Sequence, residues 1–340
     1  MSQQHPTVEV SEATDVNGTG AATQVEVASP ATASAPTKYY ASIYPGPKTP
    51  LSDSFTQTIQ SLEATLGAPL WLMLHEQHGD GKFDDINEEV RKAFWTSRAQ
   101  MEPNKPIALL IDSPGGYSKS AYQTASLIRR RCGSFTAVIP RYAKSAATLL
   151  ALGARKIILN SDAELGPLDV QIFDAEREEW ASALDEVQTV ERLHASSLSL
   201  LDQTMMFLLL RTGKKVDTVV PQVLKFVSDM MRPMFENIDV VHFTQRARAL
   251  KVTEDYAARL LRATYSRSEA ETIARRLVSA YSEHGFVIDA EEAADFGGPD
   301  VQAKIETESP TENQAELMDS LVPLLGQQTI LGRLQEVRTP

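Results

Sequence analysis

Residues 107–116 read IALLIDSPGG. The stretch is apolar from Ile107 to Ile111, then breaks at Asp112 into Ser-Pro-Gly-Gly. Continuous apolarity over this length describes a strand buried on both faces, the condition met in parallel sheets covered by helices. Gly115 and Gly116 mark a turn where another group comes close to the backbone, or where φ turns positive. Pro-Gly-Gly also suits an ordinary tight turn, so the stretch alone decides the layer and leaves the role of the turn open.

Outward from it the pattern alternates. PLWLMLHE (69–76), SFTAVIP (134–140) and ARKIILN (154–160) are further apolar runs of strand length. DINEEVRKAFWTSRAQM (85–101), SKSAYQTASLIRRRC (118–132) and SAATLLALG (145–153) carry helical spacing, with acids opening the first and Gly133 closing the second. Strands separated by helices predict an α/β fold with a parallel sheet. From Glu176 helical spacing takes over, through a long segment stopped at Gly213, then 253–264, then 266–284 with Ser268 and Glu271 as a capping box. Asp289 is expected to cap a short helix stopped by Gly297 and Gly298.

Residues 1 to 50 hold no Leu, Phe or Trp, which predicts a disordered tail over 1–52. The main domain is expected over 53–300, with 176–264 as a helical insertion. A second tail over 301–340 is expected to carry a short amphipathic helix within AELMDSLVPLLGQQTILGRL (315–334).

The chain has 340 residues, 42% apolar and 23% charged, the make-up of a soluble globular protein. A net charge of −12 makes nucleic acid and anionic membrane surfaces poor partners. Cys132 is the only cysteine, which excludes an intrachain disulfide and a cysteine metal cluster. The longest wholly apolar candidate, MMFLLL (205–210), is short and bracketed by Asp202 and Arg211, so no membrane span is expected. The opening MSQQHPTVEV lacks the basic start and apolar core of a secretory leader, and a cytoplasmic location is expected.

Parallel sheets carry their sites at the carboxyl ends of strands, and three strand ends are candidates here. The first is the glycine turn. The second places Ser145 at the start of an Ala/Leu-rich helix, where it suits both an N-cap and a nucleophile beside the Ala146 N–H. The third places Asp169 after Gly166 and Pro167, where it suits a turn or a cap. His284, followed by Gly285, suits either a cationic helix cap or a base.

Taken together, LLIDSPGG (109–116), VIPRYAKSAATLLALGA (138–154) and KIILNSDAELGPLDVQ (156–171) resemble the ClpP-like serine proteases of the crotonase-type fold. The likeness is closest to the branch called serine dehydrogenase proteinases, with the signal-peptide peptidase SppA as a further cousin. It covers roughly Pro69 to Gly298 and is strongest from Ile107 to Gln171. The resemblance implies repeated ββα units and a serine peptidase acting on peptide or protein substrates, without metal or cofactor. It places the nucleophile on Ser145 and the oxyanion donors on the Gly115–Gly116 turn and Ala146. Asp169 stands where ClpP carries its histidine. YSEHGFVIDAEEAADFG (281–297) is similar to the serine dehydrogenase proteinases' C-terminal histidine motif, implying His284 as base and Asp169 as orienting acid. Lys144 and Ala147 depart from the Met and Gly that relatives tend to have there. The resemblance also implies a homo-oligomer, with the helical insertion as the contact region.

Three alternatives stay open. An SppA-like Ser/Lys dyad would need one of Lys119, Lys144, Lys214, Lys215 or Lys225. A crotonase-type acyl-CoA enzyme would use the amide donors without the serine, and an inactive scaffold would keep only the fold. His75 and His78 with Asp80, Asp84 and Asp85 resemble a partial metal site. However, DGKFDDINEEVR (80–91) has Asp85 where a calcium loop needs Gly and Arg91 where it needs Glu, so a solvated acidic loop is expected.

Overall fold

The structure is a computed structural model, and it describes residues 37–77, 81–174, 178–296 and 303–337. In chain order the elements begin with β1 (Lys38–Ala41), α1 (Asp53–Leu66), β2 (Leu70–Leu74), α2 (Glu88–Ser97), β3 (Ile107–Asp112) and α3 (Ser118–Cys132). There follow β4 (Phe135–Ile139), β5 (Tyr142–Ala143), α4 (Ala146–Ala151), β6 (Lys156–Leu159) and β7 (Glu164–Leu165). The hairpin β8 (Gln171–Asp174) and β9 (Glu179–Ser182) leads into α5 (Ala183–Thr212), α6 (Val216–Glu236), α7 (Val240–Leu261) and α8 (Arg267–Ser279). The chain closes with α9 (Ala290–Ala294), β10 (Thr307–Glu308), α10 (Glu312–Leu321) and β11 (Ile330–Val337).

Seven strands form the central sheet in the order β1-β11-β2-β3-β4-β6-β10. From β2 to β10 all pairs are parallel, while β11 joins β2 and β1 joins β11 antiparallel. This is the mixed α/β class with a mostly parallel sheet and a helical C-terminal portion that the apolar runs predict. Side chains alternate along β2. Leu70, Leu72 and Leu74 pack with Phe55, Ile59, Met318 and Leu321 on the α1/α10 face, and Trp71 and Met73 pack with Phe94, Ala125 and Leu150 on the other. Both faces are therefore covered, which explains why these strands read as continuous apolar runs.

Four expectations change. Part of the first tail is structured: Lys38–Ala41 pairs with β11, because the sheet edge supplies the partner that this apolar-poor segment cannot supply itself. Residues 1–36 lie outside the described residues. The second tail is no tail where described. Besides the amphipathic helix α10 it contributes β11, which sits inside the sheet between β1 and β2. The helical insertion opens with the β8–β9 hairpin rather than a helix. Finally, the capping box is Ser266/Glu269, two residues earlier than expected, while Glu271 instead holds Arg262 and Arg267. Asp289 does cap α9, accepting from the Glu292 N–H; the glycines expected to stop that helix lie outside the described residues.

Helix α5 is, among the described residues, long and apolar enough by length and composition to cross a membrane, and the stretch concerned is not buried. It packs on α6 through Val219, Val223, Val227 and Met231, with Leu193, Leu201, Met205 and Leu208 opposite.

Candidate active site

The glycine turn is built by its neighbours. Gly115 has φ +119° and Gly116 φ +134°, both in the region that disfavours side chains. A Cβ on Gly115 would lie 2.8 Å from the Ser145 Cβ, and one on Gly116 would lie 2.6 Å from the Ile86 N. What comes so close to this backbone is therefore the chain itself. The loop carrying Ser145 presses on one glycine and the Ile86 segment on the other.

The same contacts aim the turn. The Ile86 N–H donates to the Gly115 carbonyl at 2.7 Å, and the Tyr117 N–H donates to the Ile86 carbonyl at 2.9 Å. In a trans peptide the N–H points away from the preceding carbonyl, so the Gly116 N–H faces opposite to Ile86, and Gly116 lines a cavity. The Gly115 N–H is engaged with Ser113 Oγ at 3.2 Å. The turn is expected to supply one oxyanion donor and Ala146 the other; Gly116 and Ala146 line the cavity and Gly115 does not.

Ser145 sits between β5 and α4 at φ 50°, ψ −120°, an unusual conformation for a residue with a side chain. Its hydroxyl makes no capping bond to α4, so the N-cap reading does not describe it. Strain held in place at such a junction is a mark of a functional position. The loop is fixed on both sides: the Lys144 N–H donates to the Ser113 carbonyl at 3.0 Å, and the Ala147 N–H donates to the Lys144 carbonyl at 2.8 Å. Ala146 begins α4, so its N–H belongs to the orphan set at a helix start and lies beside the Ser145 hydroxyl.

Thr148 on α4 links this helix to the third strand end. Its hydroxyl donates to the Ala143 carbonyl at 2.6 Å and accepts from the Gly166 N–H at 3.0 Å. Three residues past Gly166 stands Asp169, nearly fully buried. One carboxylate oxygen lies 2.7 Å from His284 Nδ1; the other accepts from Ser182 Oγ at 3.2 Å. Ser182 is also the N-cap of α5, accepting from the Leu184 N–H at 3.1 Å. A serine before a helix with Asp185 and Glu186 in its first turn is legible as a cap; its hold on Asp169 is not.

His284 lies beyond the end of α8, which stops at Ser279, so it is no helix cap. Its loop is pinned where Ile288 and Leu165 exchange backbone bonds of 2.8 and 3.1 Å, and where the Tyr281 and Phe286 rings pack tilted with centroids 4.6 Å apart. Ser145, Ala146, Gly116, Asp169 and His284 line one cavity of about 420 Å³, with Leu149, Leu168 and Val170 on its apolar wall and Thr253 also lining it. Asp85 stands on its rim, its carboxyl pushed upward by burial against the opposing hydrogen bond from Asn87.

The lysines lie elsewhere. Lys144 turns away to Glu164, at 2.8 Å, and toward the carbonyls of Leu165 and Phe286. Lys119 lines a neighbouring cavity, Lys214 and Lys215 sit exposed between α5 and α6, and Lys225 pairs with Asp229. Among the described residues lining the Ser145 cavity there is no lysine. His78 and Asp80 of the partial metal pattern lie outside the described residues, and His75 is buried rather than solvated. Among the described residues no three His, Cys, Asp or Glu side chains gather as a metal site requires.

A model of the ClpP-like SDH-type serine proteinases matches residues 81–256, a span that includes Ser145 and Asp169 and ends before His284. An uncharacterized protein of Methanocaldococcus jannaschii is 36% identical over 109 residues, 29% of this chain and 37% of its own length. A second from the same organism is 26% identical over 248 residues, 70% of this chain and 68% of its own. Two solved structures of ClpP1 from Listeria monocytogenes align over 76% and 74% of this chain and 99% of their own, at 12% and 13% identity. Their TM-scores are 0.35 and 0.32, and the second is a point mutant.

Proposed function

Because this chain belongs to the ClpP-like SDH-type serine proteinase family, we propose that it hydrolyses peptide bonds with Ser145 as nucleophile, His284 as general base and Asp169 as the orienting acid. The observation carrying this reading is the 2.7 Å His284–Asp169 pair in the cavity that Ser145 also lines. With Nδ1–H donated to Asp169, the ring's other nitrogen keeps a lone pair for the serine proton, the division of labour a Ser-His-Asp site needs. Ser145 Oγ attacks the substrate carbonyl as His284 takes its proton. The amides of Gly116 and Ala146 receive the oxyanion, and His284 returns the proton to the departing amine. An acyl-enzyme remains, and a water molecule hydrolyses it by the same steps. The wall of Leu149, Leu168 and Val170 favours a substrate residue with an apolar side chain.

The chain is further proposed to act as a cytoplasmic homo-oligomer joined through α5 and α6. Phe226, Met230 and Met234 recur every four residues beside the buried row Val219, Val223, Val227, and all three are exposed. One partner helix covers only the centre of this apolar half-cylinder; a second copy of the hairpin would cover its flanks.

A fluorophosphonate probe tests the chemistry. Labelling of the full-length protein that disappears in Ser145→Ala and His284→Ala supports the triad. Labelling that survives His284→Ala but not a lysine substitution moves the reading to a Ser/Lys dyad. A protein that takes no label is either a scaffold or an enzyme that works without the serine.

A further inference from the structure

Two adjacent glycines at positive φ form the most easily rotated peptide a chain can offer, yet oxyanion stabilisation needs its N–H held in one direction. Ile86 fixes one side of Gly115 by donating to its carbonyl. The other side is fixed by Ser113. This residue is fully buried, and its backbone is paired with the segment that delivers Ser145: its N–H donates to the Tyr142 carbonyl at 3.2 Å and its carbonyl accepts from Lys144. Its hydroxyl oxygen accepts the Gly115 N–H at 3.2 Å and lies 2.8 Å from His75 Nδ1.

His75 follows β2, is fully buried, and is tied to the end of β3 through its N–H to the Asp112 carbonyl at 2.9 Å. Its Nε2 is buried and meets no partner among the described residues. An unpaired buried polar atom is a destabilising feature that a phenylalanine ring of similar volume would avoid. The ring therefore has a use beyond filling space. Ser113 Oγ already accepts from Gly115, so its single hydrogen needs an acceptor, and His75 Nδ1 supplies one when the ring proton sits on Nε2. Burial keeps the imidazole neutral by lowering its pKa to about 4, against the opposing charge of Asp84.

We propose that His75 and Ser113 are the positioning pair of the oxyanion turn: His75 orients the Ser113 hydroxyl, which locks the Gly115 amide and so aims the Gly116 N–H into the cavity. The proposal rests on the serine peptidase reading of Ser145. Neither residue touches substrate; both act through one peptide unit.

The test compares full-length wild type, Ser113→Ala, His75→Phe, His75→Asn and the Ser113→Ala/His75→Phe double variant. Each is treated with a fluorophosphonate probe, reading the saturating rate of modification, the half-saturating concentration and the thermal midpoint. Removal of one oxyanion donor lowers rates roughly 100- to 1,000-fold, so its misalignment is expected to lower the saturating rate about tenfold or more. That loss is expected in Ser113→Ala and His75→Phe, with half-saturation unchanged. His75→Asn, which restores an acceptor near the Nδ1 position, recovers most of the rate. The double variant is no slower than Ser113→Ala, since both substitutions release the same peptide. Folded Ser113→Ala labelling at the wild-type rate, or losses that multiply in the double variant, overturns the proposal. Should Ser113→Ala not fold, equal saturating rates for His75→Phe and His75→Asn overturn it. A wild type that takes no label removes the peptidase reading and this inference with it, a result distinct from normal labelling in every variant.

Discussion

A methyl group placed on Gly115 would strike the Ser145 side chain at 2.8 Å, whereas Leu210, near the end of α5, stands 81% exposed. Around Ser145 the chain packs against itself through strand ends, two glycines and a buried carboxylate, and each approach fixes a direction. Along α5 and α6 it presents Met206, Phe207, Leu210, Leu224, Phe226 and Met230 to the outside. A body whose preorganisation is internal thus carries a hairpin whose apolar side chains stand exposed. The two meet at Ser182, which caps α5 and holds Asp169.

The sharpest way to break the contrast lies in the body. Asp169→Asn, nearly isosteric and still able to bond Ser182, is expected to lower kcat on the order of 1,000- to 10,000-fold by favouring the wrong His284 tautomer. Peptide turnover together with an unchanged circular dichroism spectrum checks this. Gly116→Ala comes next. With φ at +134° and Ile86 backbone 2.6 Å from the new carbon, roughly 2–4 kcal/mol of stability should be lost. Denaturant titration reads that loss, and the same change at exposed Gly213, where a Cβ would meet nothing within 4 Å, should lose only the smaller conformational part.

A third effect follows pH. The folded-state pKa of His75 lies near 4, below the ordinary 6.5, because burial disfavours the charged ring. Between those values the unfolded chain binds the extra proton, so this contribution is whole above pH 6.5 and is lost as pH falls toward 4. At about 1.4 kcal/mol per unit the upper bound is roughly 3–4 kcal/mol. Comparing the pH dependence of unfolding in wild type and His75→Phe isolates it, and parallel curves would contradict it. The smallest effect belongs to the hairpin. Leu210→Ser, Phe226→Ser and Met230→Ser should each change unfolding free energy by less than about 0.5 kcal/mol while dissolving self-association in sedimentation velocity. A large drop in monomer stability would mean that these side chains are already covered within one chain.

What the amino acids disclosed beforehand follows the same division. Strands β2, β3, β4 and β6 and helix α3 were legible because each is apolar in the correct period. The glycine turn and Ser145 stood out because each follows one of those apolar runs, while the roles of Ser145, Asp169 and His284 came only with the family resemblance. Less visible were features decided by distant partners. Ser-x-x-Glu occurs twice in SRSEAE (266–271), and only the placement of Arg262 beside Glu271 shows which serine caps the helix. ILGRLQEV (330–337) reads weakly as a strand because Gly332 interrupts it; its pairing with β2 supplies what its own pattern lacks. His75 looked like part of an acidic loop, since no local spacing points from it to Ser113.

The position of β11 bears on how the protein comes to life. Lying beside β2, it fills a slot that the early strands leave vacant until a segment far later in the chain pairs there. Closing that long loop is slow compared with local helix formation. The β2 edge of the sheet therefore stays open until Ile330–Val337, far along the chain from Leu70–Leu74, is in place.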